Sequence, residues 1–493
     1  MSLDLPFAPQ SVLEFRPRAD SYCYKIFEMD ASSDCGTTAD HLCVLVHGLW
    51  GNPSHLDYVA SALRERHGAD RLYILAAQRN SGSYTYDGIE LGGERVAHEI
   101  EETLEQLSNK GYQIKKLSIV GYSLGGLVAR YAIGLLQANG WLDKVEPVNF
   151  TTFVSPHVGV RSPIKGFPNH IWNVLGARTV SMSGRQMFMI DDFRGTGKPL
   201  LSVLADPNSI FMRGLAKFRH RTAYANIVND RSTVFYTTAM SKTHPFPYPE
   251  KITFNYIKGY EPVVIDPDMH VLPPAPQEIS QGGESASVLS NITKQIRTFF
   301  GAAPFYIFIT IFIPIGAVLF LLNSVVQNQL SRNRIRMYEQ GKTYLLPGRY
   351  RVPLVMQDVR GAVEDVFENI NASQGNEYLS ERDEEYTKQR TQQRRLSRQK
   401  SISSGEEKNR PGPVQQQQQP AEADDESEFP ILALTPAQFD IIDSLNAVGF
   451  KKYPVYIHKV RHSHAAIIVR MPKPGFSEGK IVVQHWLDQE FYI

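Results

Sequence analysis

A serine between two glycines is the residue best placed to do chemistry in this chain. Ser123 lies in the motif Gly121–Gly125, which follows an apolar run ending at Val120 and precedes a helical pattern beginning at Leu124. A strand, a sharp turn and a helix in this order can expose a serine hydroxyl as a nucleophile, and the glycines leave room for the turn. The dipole of the helix N-terminus also favours an oxyanion that develops nearby. We therefore predict that Ser123 is the nucleophile of an ester-cleaving site, against the alternative of a buried turn serine.

Donors for the oxyanion are expected in two places. The motif His47–Gly51 follows the first apolar run, where α/β-hydrolases place one half of the oxyanion hole. The backbone N–H groups of Leu49 and Leu124 are the predicted donors. His47 itself is expected to be structural, because this fold orders its triad as serine, acid and histidine, and His47 precedes the serine.

The acid that orients the base should lie on a loop after a later strand. Asp230 follows the strand candidate 222–226 and is the predicted acid. Three other aspartates compete for this role: Asp191, Asp192 and Asp206. Each of the four could instead cap a turn, which is the commoner use of aspartate.

Spacing leaves the catalytic base open among several histidines. His244 is only 14 residues after Asp230, which is too close for a helix and a strand to lie between them. His270 is 40 residues after Asp230, which suits a compact domain, whereas His464 lies far beyond it. Spacing alone therefore favours His270.

Short apolar runs alternate with helical patterns over residues 1–271. Strands are predicted at 42–46, 71–75, 116–120, 150–154 and 222–226. Helices are predicted at 94–107 and 124–137, where apolar residues recur at helical spacing. With the serine motif, this alternation predicts an α/β-hydrolase fold with a mostly parallel sheet and helices on both faces.

Composition sets further limits on the function. The chain has 493 residues, of which 42% are hydrophobic and 21% charged, so most of it can form a core. The net charge of +1 argues against a nucleic-acid binder. The three cysteines, Cys23, Cys35 and Cys43, lack metal-ligand spacing and fit a reducing compartment. No basic start followed by an apolar run opens the chain, so we do not expect a secreted protein.

A long uncharged stretch follows the first domain. Residues 298–331 contain no charged side chain, and the stretch is long enough to span or enter a bilayer. Pro314 lies near its middle, and basic residues flank both ends, which is atypical of a single spanning helix. These features predict a membrane-associating segment, with a buried helix pair as the alternative.

The chain after this stretch divides into a polar part and a second ordered part. Residues 373–430 are polar and glutamine-rich, which predicts a disordered linker, and within it Ser397 and Ser401 resemble sites of basic-directed kinases. Order returns at 431, with a helix expected from its cap Thr435 to Val448. Strands are predicted at 453–460, 465–469 and 481–483. This tail is too short to make a convincing independent domain.

Several segments resemble the putative serine esterase domain family of the α/β-hydrolase superfamily. They are 45–51, 80–88, 92–95, 121–132, 155–159 and 183–187. The layout of the whole chain is similar to that of the fungal lipid-droplet phospholipases. The nucleophile segment and the segment that ends at Arg95 are the most specific parts of the resemblance.

The resemblance extends to the tail, where 463–470 is similar to the closing histidine segment of the family. It implies that His464 completes a triad with Ser123 and Asp230. The remaining candidates for the base are His270, His462 and His485. The resemblance also implies deacylation of glycerophospholipids at lipid droplets and at the cytoplasmic face of the endoplasmic reticulum membrane, without a cofactor. Other readings stay open: a triacylglycerol lipase, an acyl-protein thioesterase, or a non-enzymatic membrane scaffold on a degenerate hydrolase fold.

A triad that spans the hydrophobic stretch would constrain the membrane topology. If His464 works with Ser123, both lie on the same side of the membrane, so 298–331 does not cross it once, and two crossings of about 20 residues each do not fit. We therefore expect a hairpin or an interfacial element. The predicted domains are a catalytic domain 1–275, a linker 276–297, the anchoring segment 298–331, a connecting segment 332–372, the polar linker 373–430 and a segment 431–493 that completes the hydrolase domain.

Overall fold

The computed structural model describes residues 38–160, 181–230, 233–246, 249–272, 322–342, 432 and 434–493. The chain divides into two units, Met1–Gly36 and Thr37–Ile493, and every described residue belongs to the second. Part of the predicted membrane segment, 298–321, and the polar linker with Ser397 and Ser401 lie outside the described residues.

Six parallel strands form one sheet in the order β2-β1-β3-β4-β5-β6. Their bounds are β1 His41–Val46, β2 Leu72–Ala76, β3 Lys116–Tyr122, β4 Glu146–Phe153, β5 His220–Asn226 and β6 Lys451–Val455. The five strands predicted before residue 271 are confirmed with small shifts at their ends. The predicted fold class, an α/β-hydrolase with a parallel sheet, is confirmed as well.

Helices cover both faces of the sheet, which is why the strands are apolar on both sides. In β1, Leu42 and Val44 pack into one core cluster, while Cys43 and Leu45 pack into the other. The helices are Asp57–His67, Ile89–Asn109, Leu124–Ala138, Trp141–Lys144, Ser181–Met187, Leu200–Leu204, Ile210–Ala216, Phe235–Thr238, 322–339, Pro436–Val448, Ser463–Ala466 and Ser477–His485. The two helices predicted at 94–107 and 124–137 are therefore confirmed, and the first is longer than expected.

The tail joins the sheet through β6. The helix Pro436–Val448 has the predicted bounds, and its first turn is closed by a capping box. In this box Gln438 N donates to Thr435 Oγ1 at 3.3 Å, and Thr435 N donates to Gln438 Oε1 at 3.0 Å. The chain then pairs β6 with β5 in parallel from Lys451 to Val455, which extends the sheet by one strand.

Two strands predicted in the tail are wrong. The apolar runs at 465–469 and 481–483 lie in or beside the helices Ser463–Ala466 and Ser477–His485. A short apolar run suits a buried helix as well as a strand, because periodicity cannot separate them at that length. Here both runs are buried against the same face of the sheet, and this tertiary packing decides the outcome. The strand predicted at 453–460 also ends early, at Val455.

A helix over residues 322–339 runs across the boundary predicted at 331. Ser331 and Tyr338 on this helix are buried, and Tyr338 belongs to the larger core cluster of the hydrolase domain. Several apolar side chains of the same helix are exposed: Leu322, Val325, Val326, Leu330 and Met337. Within the described ranges, no helix combines the length and the apolar composition needed to cross a membrane.

The sheet brings the predicted site residues to one edge. Because all six strands run in the same direction, their carboxyl ends lie along a single edge, where ligands bind in folds of this kind. Leu49 follows β1, Ser123 follows β3, Asp230 follows β5 and His464 follows β6. Loops that are far apart in sequence therefore meet above the sheet.

Candidate active site

Ser123 occupies the sharp turn between β3 and the helix Leu124–Ala138. Its backbone lies in the left-handed region at φ 55°, which is uncommon for a residue with a side chain. The turn is held by a hydrogen bond from Ser123 N to Phe153 O at 2.9 Å. It also needs Gly125, because a Cβ there would collide with the carbonyl oxygen of Val46. A strained serine backbone and a glycine two residues later are the features of a nucleophile turn.

His464 lies between the serine and the aspartate. Its Nε2 is 3.0 Å from Ser123 Oγ, and its Nδ1 is 2.9 Å from Asp230 Oδ2. The Asp230 carboxylate can only accept a hydrogen bond, so Nδ1 of the neutral ring carries the hydrogen and donates it, and Nε2 is left free to accept one from the serine. The Tyr122 hydroxyl donates to the His464 carbonyl at 3.0 Å, and Ser463 Oγ donates to a carbonyl of the loop after β5 at 2.9 Å. These two bonds hold the tail against the rest of the site.

Asp230 is buried and bound by several donors. Thr233 N donates to Oδ1 at 2.8 Å, and the Asn226 amide donates to Oδ2 at 3.1 Å. Burial alone would raise the pKa of Asp230, but the charge and hydrogen bond of His464, with the bonds from Thr233 and Asn226, hold it below its ordinary value. The group is therefore a carboxylate that can stabilise a positively charged imidazole.

The predicted oxyanion donors flank the nucleophile. The loop of residues 48–51, which we call the oxyanion loop, passes so close that a Cβ on Gly48 would lie 2.8 Å from Ser123 Cβ. Leu124 is the first residue of its helix, and first-turn N–H groups have no partner within the helix. Leu49 lies at the centre of the loop. An ester oxygen beside Ser123 could thus accept hydrogen bonds from both backbones.

The other histidines have different surroundings. His47 is buried against Ser81 Oγ and its own loop, and burial lowers its pKa to about 4. The His270 ring packs edge-on against Phe246, and His485 contacts the Tyr224 hydroxyl at 2.8 Å. Among the described residues, only the ring of His464 is hydrogen-bonded to Ser123 and Asp230, although spacing alone favours His270.

The three other candidate aspartates bind backbone N–H groups of nearby turns. Asp191 accepts from Leu200 N, Asp192 from Gly197 N and Asp206 from Asn208 N, each at 2.9 to 3.0 Å. None of these three carboxylates is hydrogen-bonded to a histidine in the described structure. This is the capping role that aspartate commonly has.

Three supporting residues were not anticipated from the sequence: Tyr122, Asn226 and Thr233. Tyr122 precedes the nucleophile, and the other two lie within four residues of Asp230, so a closer reading of the neighbours of the predicted site could have found them. Thr233 Oγ1 also lies 3.2 Å from His464 Nδ1. In the described ranges, no group of three or more His, Cys, Asp or Glu side chains could hold a metal ion.

Comparison with known proteins agrees with this geometry over part of the chain. Residues 37–243 match the family described as putative serine esterase (DUF676). Putative lipase ROG1 of Saccharomyces cerevisiae is 32% identical over 205 residues, which are 41% of this chain and 28% of that protein. Putative lipase C4A8.10 of Schizosaccharomyces pombe is 27% identical over 207 residues, 41% of this chain and 26% of that protein. This chain thus spans less than a third of the length of these two relatives.

Solved structures give weaker matches. Trichoderma reesei cutinase has a TM-score of 0.19 and 19% identity over 28% of this chain and 62% of that chain. Phospholipase PlaB of Legionella pneumophila has a TM-score of 0.26 and 11% identity over 41% of this chain and 42% of that chain. Because these scores are low, the fold assignment depends on the strand order and the nucleophile turn. Residues 37–243 are thus similar to the putative serine esterase family, as the sequence motifs predict.

Proposed function

We propose that this chain is a serine hydrolase that releases fatty acid from glycerophospholipids at a lipid-droplet or membrane surface. The observation that carries the catalytic part is the hydrogen-bonded chain from Ser123 through His464 to Asp230. Its supports are the strained nucleophile turn, the lowered pKa of the aspartate and the match of residues 37–243 to a serine esterase family.

The proposed reaction is acyl transfer to the serine followed by hydrolysis. Ser123 Oγ attacks the ester carbonyl while His464 Nε2 takes the hydroxyl proton, and the backbones of Leu49 and Leu124 hold the oxyanion. The imidazolium, stabilised by Asp230, gives its proton to the departing alcohol oxygen of the lysophospholipid. Water then attacks the acyl-enzyme, losing its proton to His464, and the fatty acid leaves as the serine regains its hydrogen. Every step uses protein groups and water, so we propose no cofactor.

The lipid surface is proposed from exposed apolar side chains. Helix 322–339 exposes more than half of the area of Leu322, Val325 and Val326, and the sequence stretch 298–331, which overlaps the first residues of this helix, carries no charge. Trp50 in the oxyanion loop is also 50% exposed. Such apolar area suits a lipid surface better than water. By this reasoning and by the resemblance, we place the protein on lipid droplets and on the cytoplasmic face of the endoplasmic reticulum membrane.

The first test of this function is fatty-acid release from mixed phospholipid vesicles by the full chain. We expect Ser123→Ala and His464→Ala to lower the rate roughly ten-thousand-fold or more. The matched control is His270→Ala, which removes another partly buried histidine and should leave the rate close to that of the wild type. The proposed triad would be refuted if His270→Ala were inactive and His464→Ala active, with both variants folded.

A second arm separates the proposed substrates. The same variants are given triacylglycerol emulsion and an acylated protein, and labelling by a fluorophosphonate probe is followed at Ser123. Hydrolysis of phospholipid above the other two substrates supports the proposal. Labelling without phospholipid hydrolysis would keep the serine esterase and reject the phospholipid. A folded wild type that is neither labelled nor active would favour a non-enzymatic scaffold.

A further inference from the structure

The oxyanion loop is held in place by a neighbouring segment, residues 81–88, which we call the brace segment. Trp50 N donates to Thr85 Oγ1 at 3.1 Å, and Gly82 N donates to Gly51 O at 2.8 Å. The Trp50 and Tyr86 rings also lie 6.4 Å apart, centre to centre. Trp50 has a positive φ of 54°, a conformation that persists only where the surroundings fix it. The position of the Leu49 N–H therefore depends on the brace segment.

The brace segment is in turn fixed at Asp87, whose side chain is fully buried. This carboxylate receives two guanidinium groups. Arg95 donates from Nη2 to Oδ2 at 2.6 Å, and Arg334 donates from Nε to Oδ2 at 2.9 Å and from Nη2 to Oδ1 at 2.7 Å. Arg334 Nη2 also donates to Ser83 O at 2.8 Å. Two nitrogens bound to two oxygens make a bidentate pair, which a lysine cannot reproduce.

The Tyr84 ring reinforces this contact. Both guanidinium groups lie near its face, Arg95 at 4.9 Å and Arg334 at 5.0 Å from the ring centre. Such cation–π contacts add to the ion pairs. Arg334 thus contacts three residues of the brace segment, through the carbonyl of Ser83, the ring of Tyr84 and the buried carboxylate of Asp87.

Arg334 comes from a distant part of the chain. It lies on helix 322–339, between the buried Ser331 and Tyr338, and is 247 residues from Asp87. Arg332 and Arg336 on the same helix are exposed. The helix that presents apolar side chains to the surface therefore also supplies one of the two cations of the Asp87 site.

We propose that Arg334 is a positioning residue for the oxyanion hole, acting through Asp87 and the brace segment on the N–H of Leu49. The inference rests on the proposed function of the Ser123 site. Its consequence is that the esterase reaches its full rate only while helix 322–339 is packed against the brace segment. Arg95 still pairs with Asp87 when Arg334 is lost, so the buried carboxylate is not left without a cation and the fold should survive.

The test compares Arg334→Ala and Arg334→Lys with Arg336→Ala in the full chain, on a soluble short-chain nitrophenyl ester. Loss of one oxyanion donor costs about 100- to 1,000-fold, and a displaced donor costs less. We therefore expect Arg334→Ala to lower kcat about 10- to 100-fold with KM almost unchanged, and to slow fluorophosphonate labelling of Ser123 by a similar factor. Added ethylguanidinium should restore activity to Arg334→Ala, Arg334→Lys should stay impaired, and Arg336→Ala should match the wild type.

A second variant tests whether the brace segment carries the effect of Arg334 to the oxyanion loop, and it is informative even if Arg334→Ala does not fold. Thr85→Val keeps the shape of the side chain but removes the acceptor for Trp50 N, so it should also lower kcat. Combined with Arg334→Ala, it should lower kcat by much less than the product of the two single effects, because both act on one loop.

Each outcome decides between the possibilities. A folded Arg334→Ala with wild-type kcat on the soluble ester overturns the inference, and so does a loss confined to vesicles, which would make Arg334 a contact to the lipid surface. Multiplicative effects of Arg334→Ala and Thr85→Val would also overturn it. A wild type that neither hydrolyses esters nor reacts with the probe would instead refute the proposed function itself.

Discussion

The buried Glu94 makes the stability of the protein depend on pH, and Tyr338 of helix 322–339 is one of the groups that act on its pKa. The Glu94 side chain is fully buried, and burial raises its pKa from 4.5 to about 7. The Tyr338 hydroxyl acts against this rise, Glu90 adds to it, and Arg194 and Arg95 oppose it. Because the folded state keeps this proton to higher pH than the unfolded state, the contribution of Glu94 to the free energy of unfolding is fully present below about pH 4.5 and is lost as the pH rises through about 7. The pKa difference corresponds to about 3 kcal/mol.

The perturbation is Glu94→Gln, which keeps the shape but removes the titration. We expect the variant to equal the wild type in unfolding free energy near pH 4.5 and to exceed it by up to about 3 kcal/mol at pH 8. Urea unfolding at several pH values between 4.5 and 8 measures this difference. The control is Glu105→Gln, because Glu105 is an exposed residue of the helix Ile89–Asn109, which also carries Glu94. Parallel pH curves for wild type and Glu94→Gln would refute the reasoning.

Three further expectations concern the site and the tail. Asp230→Asn should lower kcat roughly ten-thousand-fold with little loss of stability, because a neutral amide no longer fixes the proton on His464 Nδ1, and equal kcat in the variant would contradict this. Thr435→Ala should lower the unfolding free energy by about 1 kcal/mol through loss of the helix cap, as urea unfolding would show. Gly479→Ala should lower both stability, by about 1 to 3 kcal/mol, and kcat, because its Cβ would collide with Ala466 O on the turn that carries His464. If Gly479→Ala has the kcat and the unfolding free energy of the wild type, the turn can move enough to accept the added methyl group.

Local sequence patterns predict the nucleophile side of the site well. The strand β1 holds a continuous apolar run at 42–46, because helices cover both faces of a parallel sheet. The turn at Ser123 needs small neighbours at fixed spacing, so it is visible within five letters of the sequence. Neither feature depends on residues far along the chain.

Long-range pairings could not be predicted in this way. His464 is 341 residues from Ser123, so spacing favours His270, and only the family resemblance indicates the tail. The pairing of Arg334 could not be predicted for the same reason, since in the sequence Arg334 is one of several basic residues after a hydrophobic stretch. Its partner Asp87 is 247 residues away, and no periodic pattern connects them. The short helix Ser463–Ala466 was missed because an apolar run of that length does not specify its own structure.

The same long-range pairing makes a final prediction about the tail. A chain that ends at residue 430 keeps Ser123 and Asp230 but lacks β6 and His464, and it exposes the core side that the buried Trp486 covers. We expect this shortened chain to be inactive and poorly soluble, because an uncovered parallel strand edge beside exposed apolar residues promotes association. Co-expression with a separate 431–493 piece should restore solubility and esterase activity, since β6 pairs with β5 through backbone hydrogen bonds that need no covalent link. A 431–493 piece carrying His464→Ala should restore solubility without activity, and equal activity with either piece would show that the base lies elsewhere.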